Sequence, residues 1–407
     1  MIPDSVQTAL PAITAAASII ISLATSIHAV MYKRDSRATI AWVGLIWLTP
    51  FIGAVLYILF GINRIRRKVS GLRGHESRHT NTDMHICSLA ELDQQLPEDE
   101  QHFVSLARLN QQVTDLDLLS GNSITPLING EEAYPAMLEA IAGAKKTISF
   151  TTYIFDNDTT GKSFVDAFAA AASRGVEVRV LIDAVGSRYS LPPVTFTLGK
   201  KKIPHALFMP TLVPWAAPYM NLRNHRKIMV VDGETAFAGG INIRHRHLIT
   251  QTTHNATRDI HFRITGPLTA QLQAVFIEDW WFNTKEQLEG DDWLPFQQKT
   301  GNITARAIPD GPDIGKDRLR TAYIGALSTA RKRVRIITPY FLPDSALITA
   351  LNTCAGRGVE VDIIMPEHNN QRMVAWAANA QLWQMLEWGC RMWFSPNPFD
   401  HSKIMVV

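Results

Sequence analysis

Two short stretches hold the residues of this 407-residue chain whose types and spacing suit chemistry. They are His225-Arg226-Lys227-Ile228-Met229-Val230-Val231-Asp232 and His401-Ser402-Lys403-Ile404-Met405-Val406-Val407, 176 residues apart. Each places a histidine and a lysine two positions apart, ahead of an aliphatic run. Residues two apart on an extended strand share a face. His225 and Lys227 are therefore expected to point together with Arg226 turned away, and His401 and Lys403 likewise. Brought face to face, two imidazoles and two ammonium groups suit a phosphodiester. The lysines neutralise its oxygens, while one imidazole attacks phosphorus and the other protonates the leaving alcohol. An imidazole titrates near pH ~6.5. Two of them flanking one phosphate titrate as a coupled pair, which favours one neutral nucleophile and one charged acid. The lysines bring the charge a divalent ion would otherwise supply, so neither a metal nor another cofactor is expected.

The elements that must position these residues read as α/β from about residue 124. Thr147–Phe155 is predicted as a strand, Gly161–Arg174 as a helix with alanines on its buried face, and Val176–Asp183 as a mostly apolar strand. The order returns with a strand over Arg333–Tyr340, a helix over Ala346–Arg357 and a strand over Val359–Met365. The repeat is literal at Arg174-Gly175-Val176-Glu177-Val178, which recurs as Arg357-Gly358-Val359-Glu360-Val361, 183 residues on. Two strand–helix–strand halves of a parallel or mixed sheet follow. The expected domains are a membrane hairpin (1–66), a connector (67–122) with one or two helices over Leu89–Leu116, a first half (123–290) and a second half (291–407).

Leu10–Tyr32 and Ala38–Ile62 are long apolar runs, each sufficient for the ~20 helical residues that cross a bilayer. A charged turn, Lys33-Arg34-Asp35-Ser36-Arg37, separates them. The first run lacks a basic leader and is followed at once by the second, which favours a retained two-helix hairpin over a cleaved signal. The turn carries Lys33, Arg34 and Arg37. Arg64, Arg66, Arg67, Lys68 and Arg73 follow the second run, so the positive-inside rule places the large domain in the cytoplasm. Pro50 and Gly53 suggest a kink or close helix packing, and His28 reads as an interfacial residue.

The remaining features exclude more than they assign. A net charge of +3, from 40 basic and 37 acidic residues, is too balanced to argue for nucleic acid. Cys87, Cys354 and Cys390 form neither a disulfide framework nor a CxxC pair, as in a reduced, cytosol-facing protein. Gly161-Lys162-Ser163 ends like a phosphate-binding loop, but Asp156 stands where that motif needs glycine. Gly239 and Gly240 read as a turn, and His245, His247 and His254 as a solvated loop without metal-site spacing. Leu207–Tyr219, an apolar proline-rich loop, either lines an acyl-chain entrance or packs on the core.

The two His-x-Lys motifs resemble the paired HKD motifs of the phospholipase D superfamily. Tyr153-Ile154-Phe155-Asp156, Asn221-Leu222-Arg223-Asn224-His225 and Thr338-Pro339-Tyr340-Phe341, with the anchor, are similar to bacterial cardiolipin synthases from about residue 38 to the end. The resemblance implies two pseudo-twofold-related phospholipase D-like halves in a bacterial inner membrane protein. It also implies transfer of a phosphatidyl group between two phosphatidylglycerol molecules with release of glycerol. By the same resemblance His225 is the nucleophile, His401 the acid and base, and Lys227 and Lys403 the phosphate ligands. Asp232 completes the first motif, Asn242 binds phosphate, and Asp259 orients a histidine. The chain stops at Val407, one residue short of the aspartate expected in the second motif, so the second half is expected to be incomplete. Water or another alcohol as acceptor, a nuclease, and an inactive fragment are the alternatives. Products formed from phosphatidylglycerol alone distinguish the first of these from the synthase.

Overall fold

The computed structural model describes residues 4–33, 36–62, 85–210, 223–252, 255–310 and 317–407. The basic run after residue 63, the apolar loop beyond residue 210 and His254 lie outside the described residues. The chain divides into two compact units, one of residues 1–75 with 212–222 and one holding the rest.

In the first unit α1 runs Asp4–Tyr32, and its apolar part, Pro11–Tyr32, has 22 residues. At 1.5 Å per residue that is about 33 Å, enough to cross a bilayer core. The second apolar run is not one continuous helix but breaks at Pro50, where the sequence suggested a kink. It divides into α2 (Ser36–Leu48), α3 (Pro50–Leu56) and a π-helical turn over Tyr57–Gly61. Proline at the first position of α3 has no N–H to continue α2, and Thr49 leaves helical geometry before it. The 13 residues of α2 reach only about 20 Å, too short to span alone. A Cβ at Gly53 would overlap the Leu45 carbonyl, so glycine there lets α3 cross α2 closely. His28 Nδ1 lies 2.8 Å from the Tyr57 hydroxyl and so ties α1 to the π turn.

In the second unit, α4 (Leu89–Gln95) and α5 (Phe103–Thr114) form the connector. Ser88 caps α4 in a capping box with Glu91. The first half comprises β1 (Leu119–Ile128), α6 (Asn129–Gly143), β2 (Thr147–Thr152), α7 (Thr159–Ser173), β3 (Glu177–Asp183), α8 (Val194–Lys200) and β4 (His205–Phe208). Next come β5 (Ile228–Val231), β6 (Thr235–Gly239), β7 (Thr257–Arg258), β8 (Ile260–Thr265) and α9 (Leu268–Thr284). A mixed eight-stranded sheet runs β4-β3-β2-β5-β6-β8-β1, with β9 (Ile303–Ala305) at its edge. The sheet is buried on both faces, and β5 shows how. Met229 and Val231 pack under α6 and α7, while Ile228 and Val230 pack towards α9. Phe164 and Phe168, rather than mainly alanines, fill the inner face of α7.

The second half repeats the pattern: α10 (Arg318–Thr329), β10 (Arg333–Ile337), α11 (Ser345–Gly356), β11 (Glu360–Pro366), α12 (Arg372–Asn379), α13 (Trp383–Leu386), β12 (Arg391–Ser395), β13 (Phe399–Asp400) and β14 (Ile404–Val406). Its sheet is ordered β12-β11-β10-β14. The literal repeat has a structural reason. Gly175 (φ +92°) and Gly358 (φ +87°) take the left-handed conformation just after α7 and α11. Arg174 donates to the carbonyls of Ile141 and Ala144 at the C-terminal end of α6, and Arg357 to those of Leu327 and Ala330 at that of α10. Asp158 and Asp344 cap the N-termini of α7 and α11 by accepting N–H bonds from Gly161 and Leu347. The halves meet in a parallel two-stranded ladder, β13 on β7, with Phe399 opposite Thr257 and Asp400 opposite Arg258.

Candidate active site

The β13–β7 ladder sets the site. It ends where the His401 N–H donates to the Arg258 carbonyl at 2.8 Å, which brings the second motif against the residue that follows β7, Asp259. His401 Nδ1–H donates to Asp259 Oδ2 at 2.8 Å, and that carboxylate is fully buried. Lys403 reaches over the same imidazole, with Nζ 3.0 Å from Nδ1 and 3.1 Å from Nε2.

The first motif arrives from the other side. His225, Arg226 and Lys227 lie one step upstream of β5, outside the ladder, but keep the alternation of a strand. The His225 ring stacks on Tyr153 at 4.0 Å and 17°. Lys227 Nζ donates to the His225 carbonyl at 2.7 Å and sits 5.7 Å from the Tyr153 ring centre. Arg226 turns away to a buried ion pair with Asp279, at 2.5 and 2.6 Å to its two oxygens. Asn224 donates to Asp279 and accepts the Arg226 N–H, which fixes the turn that aims His225.

The two motifs feel one another's charge. Burial first, then Lys227, Lys403 and His401, lower the His225 pKa to about 4. Burial and Lys403 lower Lys227 to about 7, and burial lowers Lys403 to about 8. His401 is also lowered by burial, against which the Asp259 hydrogen bond works. Burial acts to raise the Asp259 carboxyl, but the His401 hydrogen bond and the charges of His401, Lys403 and His247 outweigh it and leave it below the ordinary value. Crowded cations that depress one another are relieved by an anion between them, which is what a phosphate supplies.

The residue pattern and geometry have counterparts among known proteins. The family described as "Cardiolipin synthase, PLD-like domain" matches residues 137–280 and 323–407, more than half of the chain. The chain belongs to this cardiolipin synthase family of phospholipase D-like proteins. A second family, the phospholipase D-nuclease N-terminal region, matches residues 20–61. Together with the apolar helix α1 it marks a membrane-associated protein. A cardiolipin synthase of Geobacillus thermodenitrificans is 28% identical over 92% of this chain and 75% of its own length. The major cardiolipin synthase of Bacillus subtilis is 28% identical over 92% and 79%. The fold is shared with the crystal structure of a phosphatidylserine synthase from Haemophilus influenzae, with a TM-score of 0.54 at 17% identity over 74% of this chain and 80% of that one.

Within this cardiolipin synthase family member, the seven residues singled out from sequence do not all meet. His225, Lys227, His401, Lys403 and Asp259 cluster, as the contacts and mutual charge effects above show. Asp232 does not join them. It lies at the far end of β5 with φ +52°, and its carboxylate accepts N–H bonds from Lys145, Lys146 and Thr147. Asn242 is buried beneath the site, where its side-chain oxygen accepts the Ile154 N–H at 3.0 Å. Tyr134 donates to the Asn242 carbonyl at 2.7 Å and locks that loop.

Sequence reasoning read the glycine pair only as a turn and gave Tyr153 and Tyr340 no role in the site. Tyr340 lies edge-on to His401 at 5.9 Å and 76°, whereas Tyr153 stacks on His225. A Cβ at Gly240 would overlap the Asp259 carboxylate, and one at Gly239 would press on the His261 backbone at 2.7 Å. Gly239-Gly240 is thus the clearance that lets a buried carboxylate stand behind His401. The signal was present in the sequence as two adjacent glycines closing a strand, but their neighbour is 19 residues away in the chain.

Proposed function

We propose that the chain joins two phosphatidylglycerol molecules into cardiolipin by two successive displacements at phosphorus. Neutral His225 attacks the donor phosphate. A nitrogen–phosphorus bond forms as the bond to the glycerol head group breaks, and charged His401 gives its proton to the departing glycerol oxygen. His401, now neutral, takes the proton from the primary hydroxyl of the second phosphatidylglycerol. That oxygen bonds to phosphorus and releases His225. Lys227 and Lys403 hold the non-bridging oxygens, and Asp259 keeps His401 oriented and favours its charged form. Asn242 serves by holding the loop beneath. The reading places the catalytic unit on the cytoplasmic side of a bacterial inner membrane, held by a multi-pass anchor in which α1 crosses alone and the broken second run crosses as α2 and α3 taken together.

The observation that carries this reading is the unequal surroundings of the two imidazoles. His401 has a buried carboxylate 2.8 Å from Nδ1, whereas His225 is stacked on Tyr153 among cations. One is suited to carry a proton and the other to present a lone pair. The test is lipid mass spectrometry of a cardiolipin-free host expressing the chain. Cardiolipin should appear and should vanish with His225→Ala. Phosphatidic acid in its place would identify water as the acceptor, and no lipid change would remove the assignment.

A further inference from the structure

The two halves carry matching apolar projections beside the histidines. In the first half, the loop after β3 holds Tyr189, whose ring lies 6.4 Å from Tyr153, the residue stacked on His225. From there the chain puts out Leu191, 88% exposed, and Phe196, 55% exposed. The loop is well tied down. The Asn157 N–H donates to the Ser190 hydroxyl, Asn157 Nδ2 donates to the Pro192 carbonyl, and Asn157 Oδ1 accepts the Thr197 hydroxyl. In the second half, the Tyr340 beside His401 donates to Asn370 at 3.0 Å, and Asn369 donates to the Pro339 carbonyl at 2.6 Å. α12 begins two residues later. It turns Val374, Ala375 and Ala378 inward and Met373 (79% exposed) and Trp376 (69% exposed) outward. Tyr189 leads through Tyr153 to His225, and Tyr340 stands beside His401, so each projection adjoins one of the two motif histidines.

Fixed, exposed, apolar side chains are costly in water and mark a surface that meets something else. Their company identifies the partner. Lys200 Nζ stands 4.4 Å over the Phe196 ring, Lys202 is exposed beside it, and Arg372 is exposed next to Met373. Apolar tips with basic residues behind them match the boundary between acyl chains and anionic head groups, where tryptophan also concentrates. We propose that Leu191 and Phe196 in the first half, and Met373 and Trp376 in the second, form a two-part rim beside the motif histidines that inserts into the surface of an anionic bilayer. The inference rests on the proposed phospholipid substrate and adds the surface by which it is reached.

The test uses the full chain in proteoliposomes of phosphatidylglycerol and phosphatidylethanolamine. Met373→Cys and Leu191→Cys are labelled with an environment-sensitive fluorophore; the three native cysteines are buried and stay unlabelled. Both labels should emit as in an apolar medium and be quenched by lipids carrying nitroxides near the head group. Water-like emission overturns the proposal. So does apolar emission that such lipids do not quench, which would indicate a protein partner or a second copy. Activity gives an independent reading. Leu191→Ser with Trp376→Ser should lower kcat/KM about tenfold on vesicles, the scale expected for losing buried apolar area. It should leave turnover of a monomeric short-chain phosphatidylglycerol unchanged. Equal loss on both substrates, or no loss on vesicles, refutes the rim. Absence of cardiolipin from the unaltered enzyme on either substrate refutes the functional reading instead.

Discussion

Asp259→Asn isolates what the carboxylate behind His401 does. Asp259 is 2% exposed, and Oδ2 accepts the His401 Nδ1–H at 2.8 Å. Asparagine keeps the shape and removes the charge. A hydrogen bond to a charged group contributes about 1.5–3 kcal/mol, and each 1.36 kcal/mol is a factor of ten in rate, so kcat should fall about 10- to 150-fold. The pH profile should move in a defined direction. Asp259 raises the His401 pKa, whereas burial and Lys403 lower it. Without the carboxylate only the lowering influences remain. The charged form is then lost at lower pH, and the alkaline limb of the rate profile shifts to lower pH. Gly240→Ala supplies a second route to the same state, because its methyl group displaces a carboxylate that is still present. Glycerol release from phosphatidylglycerol, followed across the pH range in both variants, is the assay. An Asp259→Asn enzyme with unaltered kcat and an unmoved alkaline limb would refute the orientation argument.

Lys227→Met should raise the His225 pKa, because Lys227 is among the charges that lower it; the acidic limb of kcat/KM then moves to higher pH as overall activity falls. Asp232→Ala should cost about 1–3 kcal/mol of stability, since three backbone N–H groups lose their acceptor, while kcat changes little; a melting curve beside an activity measurement checks it. Arg226→Met removes a close ion pair from the buried Asp279 carboxylate and should cost up to about 3–5 kcal/mol, read from melting curves, with much of the loss recovered in Arg226→Met with Asp279→Leu. His247 and His261 are buried and their pKa values are lowered from 6.5 to about 3 and about 4, so the unfolded chain binds more protons than the folded one below pH 6.5. Stability is full above that pH and should decline as pH falls from about 6.5 towards 4; a melting temperature that stays level over this window in the detergent-solubilised protein contradicts it.

Much of the architecture is legible in the sequence because it rests on local rules. The apolar strands, the helices between them and the Arg-Gly-Val-Glu-Val repeat follow from periodicity and from the need for glycine where φ is positive, as at Gly175 and Gly358. The His-x-Lys spacing fixes which side chains point together wherever the backbone is extended, and it holds at His225 and Lys227 although neither lies within the ladder. The break at Pro50 is local as well, since proline ends α2 and leaves two helices that are each too short to span alone. Other features depend on residues far apart in the chain. Asp232, in line with the first motif, is drawn to the N–H groups of Lys145, Lys146 and Thr147 because the turn after β5 lies against the loop before β2. Asp259 meets His401 across 142 residues because a two-residue ladder joins the halves and Gly240 leaves the space. The sequence by itself determined which groups can do the chemistry, since residue type and alternation are local properties. Which of them meet, and how unequally the two imidazoles are surrounded, only the tertiary structure decided, because burial and charge depend on neighbours that the chain order does not name.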